Sequence, residues 1–452
     1  MIIYNCRIIT WTRPNRILDG FAVRINNKHV ERLAKEEILL HQYPSDELIN
    51  ANGQLLMPGL ICAHTHFYGV FSRGMTIQGG SPLNFLEILQ KLWWPLDQSL
   101  LEQDIYYSAL VCLIDAIKHG TTTVFDHHAS PNYIDGSLDI IEKAVRETGV
   151  RASLCYEVTD RGGEAKTDAG IKENLRMIRK LASKPSDNLV TATFGLHAGI
   201  TLSDKTLEKC ALEIPPGYGF HIHVAEDLID ESESQKLYGL NLVNRLHHFN
   251  ITGANSIFVH GVHMGEDEVG IIRQTGTWLT HQPRSNMNNA VGMADVEKML
   301  ANDIPVCMGN DGFSFAMWDE WRTCYLAHKL WNRDPRRMGA DQVVRMAAYN
   351  NSTLASKFFN EKIGVIQEGA IADLILVDYS PITPMDLENL PWHIIFGFRD
   401  SMVTMTMVNG KMLMKDRKLT TIDEITVSSH AQKLSAEVWE RYKSQFSEGK
   451  PK

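Results

Sequence analysis

The two ends of the chain show short runs of alternating polar and apolar residues. The middle instead shows compact apolar runs separated by longer segments of helical period. Residues 2–9, 21–25 and 29–33 read as strands, separated by turn residues that include Asn26-Asn27. The same pattern returns late in the chain, where 372–378 is a compact apolar strand. Residues 402–408, then Asn409-Gly410, then 411–414 read as a hairpin, because Asn-Gly suits the positive φ angles of a type I′ turn. Two β-rich ends around a long middle predict one small β domain built from both termini.

In the middle, eight apolar segments read as strands: 59–63, 121–125, 151–156, 189–196, 218–222, 256–259, 277–280 and 305–308. Segments of helical period lie between them, among them 138–146, 171–182, 235–247 and 295–301. Strand–helix alternation implies a parallel sheet, and eight units point to an α/β fold of the closed (β/α)₈ TIM-barrel type. The expected division is 1–56 with 366–420 as the β domain and 57–365 as the barrel. A C-terminal helix and tail fill 421–452, with the helix at 429–442 and a charged, frayed end after it.

Composition narrows the function classes. Of 452 residues, 44% are hydrophobic and 22% charged, which excludes a disordered chain or a disulfide miniprotein. The net charge is −9 and no dense Lys/Arg run interrupts it, so neither a nucleic acid nor an anionic membrane is expected as a partner. The seven cysteines form no CxxC pair, which suits reduced thiols in a cytoplasmic protein. The start of the chain shows no basic stretch followed by a long apolar run, and no 18-residue apolar run occurs, so neither a secretory signal nor a membrane span is expected.

The 18 histidines matter more than their number. The predicted strands run in turn into His64 and His66; Asp126, His127 and His128; Glu157; His197; His223; His260; His281; and Asp311. Active sites of such barrels lie at the C-terminal rim of the strands, and one strand after another delivers an imidazole or carboxylate there. His64-Thr65-His66 places two rings on the same side of a strand, where neutral imidazoles suit a divalent metal. In His221-Ile222-His223-Val224-Ala225-Glu226, parity does not choose between the two histidines, but His223 lies nearer the carboxylate of Glu226. Asp311, between Asn310 and Gly312, could ligate a metal and accept a proton from its water. His260 is a candidate for orienting that water.

These motifs, in this order along nearly the whole chain, resemble the mononuclear deaminase/chlorohydrolase branch of the amidohydrolase superfamily. Pro58-Gly59 through His66, Gly195-Leu196-His197-Ala198, His223 with Glu226, His281 through Asn286, and Asp311-Gly312 carry the likeness. Within the branch, Leu92-Trp93-Trp94, Asp126 through Pro131 and Arg284 through Asn289 are most similar to SsnA-type aminohydrolases. The resemblance implies a distorted barrel, a composite β-sandwich, a homodimer and one divalent ion, Zn²⁺ in preference to Fe²⁺. It implies His64, His66, His223 and Asp311 as ligands, Glu226 as proton shuttle, His260 as water-positioning base and His197 as a substrate contact. Gly199, Asn310 and Arg284 depart from the usual pattern without removing a ligand.

Further candidate substrate contacts are Arg73, Trp93, His127 and Arg284: aromatics stack on planar rings, and guanidinium groups pair with carbonyls or carboxylates. The expected activity is metal-dependent hydrolytic deamination of a nitrogen heterocycle such as a purine, pyrimidine or related ring. The alternatives are ring opening of a cyclic amide or halide displacement at the same site. An intact ligand set argues against a non-catalytic scaffold.

Overall fold

The computed structural model describes residues 1–183 and 187–447. Strands from both ends of the chain share one nine-stranded sheet. Its order is Lys418–Leu419, Lys411–Lys415, Val403–Val408, Leu374–Val377, Leu55–Pro58, Ile2–Ile9, Ile17–Asn26 and His29–Lys35, with Leu48–Asn50 also paired to Ile2–Ile9. Asn409 and Gly410 sit at φ 50° and 70° between the paired residues Val408 and Lys411, the two-residue hairpin that Asn-Gly favours.

The middle forms two parallel sheets. One runs Leu60–Thr65, Thr121–Asp126, Arg151–Leu154 and Val190–Ala192; the other runs Phe194–Ala198, Phe220–Val224, Ile257–His260, Trp278–His281 and Val306–Met308. The single strand expected at 189–196 is therefore two strands, and among the described residues the middle has nine rather than eight. Thr193 ends one ladder, and Phe194–Ala198 pairs with Phe220–Val224 instead.

Single bridges, Val158 to Leu196 and Thr65 to Asp311, link the two sheets. At each seam a buried asparagine amide takes the place of ladder bonds. Asn174 Oδ1 accepts from the backbone N–H of Tyr156 and Gly195 at 2.9 and 3.1 Å, and its Nδ2 donates to Tyr156 O at 2.8 Å. Asn351 does the same at the other seam: Oδ1 accepts from Met308 N at 2.8 Å, and Nδ2 donates to Ile61 O and Met308 O at 2.7 and 2.9 Å. Backbone groups that the sheets leave unpaired are thereby satisfied. Gly195 is required here, since a Cβ would lie 2.3 Å from Tyr156 O.

The helix expected at 235–247 is two helices, Leu228–Tyr238 and Leu242–His248, because Gly239 takes a left-handed φ of 71° and caps the first. The C-terminal helix, Glu424–Ser447, is longer than expected at both ends. It holds the loop beside the active rim: Trp439 Nε1 donates to Phe71 O at 2.7 Å, and Tyr442 Oη to Lys91 O at 2.6 Å. The far end of the charged tail, 448–452, lies outside the described residues. All seven cysteines are buried and free. Among the described residues no helix is long and apolar enough to cross a membrane.

Candidate active site

The strand ends converge as their parity requires. His64 and His66 lie at the end of Leu60–Thr65, His223 within Phe220–Val224, and Asp311 just beyond Val306–Met308. Backbone bonds fix Asp311 against the first strand: Asp311 N donates to His64 O at 3.1 Å, and His66 N and Thr65 Oγ1 donate to Asp311 O at 3.0 and 2.9 Å. Gly309 permits this approach, because a Cβ there would lie 2.7 Å from His64 N and O. Ala225, His260 and Asp311 all adopt positive φ, at 49°, 74° and 57°. Such strained backbone clusters at functional sites.

His64, His66, His223 and Asp311 present one ligand atom each, all within 4.8 Å of one another. His66 Nδ1 donates to His127 O at 2.6 Å, and His223 Nδ1 donates to His197 O at 2.8 Å. Each neutral ring therefore turns a bare Nε2 inward, and those two nitrogens are 3.2 Å apart. His64 Nε2 is 3.2 Å from His66 Nε2, and Asp311 Oδ1 is 3.0 Å from His66 Nε2 and 3.3 Å from His64 Nε2. Lone pairs thus face lone pairs, an arrangement that a cation reconciles. Metal bonds of about 2.0–2.1 Å in a tetrahedron set ligand atoms about 3.3–3.4 Å apart, close to these separations. Three imidazoles and one carboxylate suit a divalent ion, which would take up a water by expanding to five ligands, so the residues fit the group.

Electrostatics favour neutral rings at two of the three histidines. Burial pushes His64 down to about 3 and His223 well below the ordinary histidine range, which keeps both rings neutral. Burial alone would lower His66 too, but Asp311 and Glu157 on either side hold it well above its ordinary value, so a proton and a cation compete there. Burial would raise Asp311, yet His64 and His66 hold it well below the carboxylate range.

Glu226, His260 and Asp311 form an adjoining cluster. His260 Nδ1 and Asn286 Oδ1 are 2.9 Å apart, which directs Nε2 toward Glu226 Oε2 at 3.2 Å and Asp311 Oδ2 at 4.0 Å. Neither carboxylate is in line for a hydrogen bond, and His260 Nε2 has no partner among the described residues. Burial pushes Glu226 up to about 6.

A cavity of about 440 Å³ opens on this cluster. His197, Trp93 and Arg73 line it, as do Glu226, Asp311 and Glu157. Two expected substrate contacts do not. His127 is fully buried, with Nδ1 3.0 Å from Glu157 Oε1 and Nε2 2.9 Å from His221 O. Arg284 is turned away, donating to Glu320 and, through Nη2, to Ser314 O at 2.8 Å. Glu320 is fully buried, so its carboxylate demands a cationic partner, and Arg284 is committed to it.

Three neighbours carry roles that the sequence reading left open. His221 Nε2 lies 2.9 Å from His64 Nδ1 and can fix that ring's tautomer. Ser285 Oγ donates to Asp311 Oδ2 at 2.5 Å. Glu157 lies just beyond strand 151–154, where the sequence placed it at the rim without assigning it a role.

Parallel strands that deliver three imidazoles and a carboxylate to one rim define a metal-dependent hydrolase. Residues 55–413 match the amidohydrolase family, and the chain belongs to that family. It is 31% identical over 405 residues to a 5′-deoxyadenosine deaminase of Methanosarcina mazei, covering 88% of this chain and 90% of that protein. It is 29% identical over 453 residues to a 5-methylthioadenosine/S-adenosylhomocysteine deaminase of Acetivibrio thermocellus, covering 97% and 99%. A zinc-bound adenosine deaminase of Xanthomonas campestris shares the fold with a TM-score of 0.84 at 20% identity, covering 97% of this chain and 98% of that one. So does a zinc-bound atrazine chlorohydrolase of Arthrobacter aurescens, with a TM-score of 0.81 at 20% identity and 96% and 99% coverage.

Proposed function

We propose that this chain is an aminohydrolase using one divalent metal, zinc in preference to iron, to deaminate a nitrogen heterocycle such as a purine, pyrimidine or related ring. Its two parallel sheets are read as one distorted (β/α)₈ barrel spanning 57–365. The shared terminal sheet is read as a composite β-sandwich of 1–56 and 366–420, followed by the helix and tail of 421–452. Relatives named as nucleoside deaminases support the chemistry, and the motif stretches around Trp93-Trp94 and Arg284 through Asn289 support an SsnA-type subgroup.

The observation that carries the reading is geometric: Glu226 and Asp311 flank His260 Nε2 at 3.2 and 4.0 Å, beside the cluster of His64, His66, His223 and Asp311. Glu226 rises to about 6 and Asp311 is held low, with His260 between them. One group can then give a proton while the other receives one.

A divalent ion held by His64, His66, His223 and Asp311 would supply Lewis-acid activation of water. Asp311 and His260 take up the proton that water loses as its oxygen adds to the ring carbon bearing the amino group. Glu226 gives a proton to the adjacent ring nitrogen and makes that carbon more electrophilic. The amino group leaves as ammonia with the proton held by Asp311 and His260, and the added oxygen gives its remaining proton back to Glu226 as it stays on the ring carbon as a carbonyl. His197, Trp93 and Arg73 line the cavity that would hold the ring. Glu226→Gln at unchanged metal content is expected to lower turnover by about 10²–10⁴. Full activity in that variant contradicts the assignment.

A further inference from the structure

Three buried carboxylates of the cavity, Asp97, Glu157 and Asp230, have no part in the proton transfers above, and of these Glu157 lies beside the proposed ligand His66. Glu157 lies just beyond strand Arg151–Leu154 and is 2% exposed, yet it lines the same cavity as Glu226 and Asp311. Its Oε1 is engaged, 3.0 Å from His127 Nδ1 and 3.2 Å from His66 Nδ1. Among the described residues no donor reaches Oε2, whose nearest ring nitrogen is His197 Nε2 at 3.8 Å.

His197 stands beside it. Thr201 Oγ1 lies 2.7 Å from His197 Nδ1 and 3.1 Å from Ala198 O. The open oxygen of Glu157 therefore makes an acceptor wall with an imidazole at its side. Only His66 separates Glu157 from Asp311, since its Nδ1 faces the first and its Nε2 is 3.0 Å from the second. This wall meets the heterocycle itself rather than a distant substituent.

An acceptor wall selects for donors. The unsubstituted ring nitrogens of an adenine joined to ribose, N1, N3 and N7, are all acceptors, and its only N–H bonds belong to the amino group that deamination removes. Such a ring sets acceptor against acceptor here. A lactam heterocycle carries a ring N–H. We propose that Glu157, with His197, is a specificity-determining residue that selects a lactam ring, an oxopurine, oxopyrimidine or pterin, over ribose-linked adenines. This rests on the aminohydrolase reading, which it narrows. A site built to hydrogen-bond a substrate N–H discriminates strongly against analogues that lack one.

The test is equilibrium binding to the zinc-loaded full chain, read by quenching of tryptophan fluorescence within the mixing time. Trp93 and Trp94 line the cavity and report on it. Guanine, isocytosine and pterin are compared with 5′-deoxyadenosine, in the unsubstituted protein and in Glu157→Gln. At least one lactam is expected to bind tenfold or more tighter than 5′-deoxyadenosine. Glu157→Gln, which can offer a donor at that position, is expected to cut the ratio about tenfold. Equal or tighter binding of 5′-deoxyadenosine overturns the proposal. So does failure of every lactam to bind, or an unchanged ratio in a zinc-loaded, folded Glu157→Gln. Should that variant lose zinc, the ratio in the unsubstituted protein decides. Ammonia is assayed separately: a tightly bound lactam that releases none contradicts deamination while leaving the role of Glu157 standing.

Discussion

Ser285 Oγ lies 2.5 Å from Asp311 Oδ2, the carboxylate oxygen turned away from His64 and His66. The bond leaves Oδ1 to face the imidazole cluster and holds Oδ2 on the side of His260. Partners that orient a ligating group typically matter by 10–100-fold. Ser285→Ala is therefore expected to lower kcat about tenfold with zinc content retained, as measured by steady-state kinetics beside metal analysis.

Arg284 and Trp93 separate stability from substrate contact. Arg284 neutralises a fully buried Glu320, whereas Trp93 is half-buried and lines the cavity. Arg284→Met is expected to cost about 3 kcal/mol in chemical denaturation, because it strands a buried carboxylate, with KM unchanged. Trp93→Ala is expected to raise KM several-fold with little loss of stability.

Asn351 satisfies two carbonyls and one N–H at the seam beside the metal ligands. Asn351→Leu removes all three bonds, and each buried group left without a partner costs about 1–3 kcal/mol. Urea unfolding is expected to show a loss of about 3 kcal/mol or more. Zinc affinity is expected to fall with it, because the same seam holds Asp311 against His64.

Burial, with Glu268 beside it, pushes Glu231 up to about 8 from an ordinary 4.5. The folded chain then binds that proton more tightly than the unfolded chain. The stability it contributes is complete below about pH 4.5 and is lost as the pH rises toward 8. Glu231→Gln is expected to raise Tm relative to the unsubstituted protein at pH 8.5 and to leave it unchanged at pH 4.5, which calorimetry across that range checks.

Much of the site was legible because strand parity and strand order are local signals. His64 and His66 share a face by parity alone, and each compact apolar run ends in a residue that reaches one rim. What was hidden depends on partners far away in sequence. Arg284 looked free until Glu320, on the helix Met317–Asn332, was placed beside it. The run 189–196 is one apolar stretch, and the Asn174 amide, inserted from the preceding helix Glu164–Ala182, shows why it breaks at Thr193. His127 follows its strand as the others do, but its ring lies between Glu157 and His221 O rather than in the cavity.

The most direct test of the account is ammonia release. Zinc-loaded protein is incubated with aminopurines, aminopyrimidines, pterins and aminotriazines, with Asp311→Asn beside it. The account predicts ammonia from one ring class with the ring intact, lost in Asp311→Asn. A ring-opened product or released halide without ammonia, from protein carrying one zinc per chain, would contradict it.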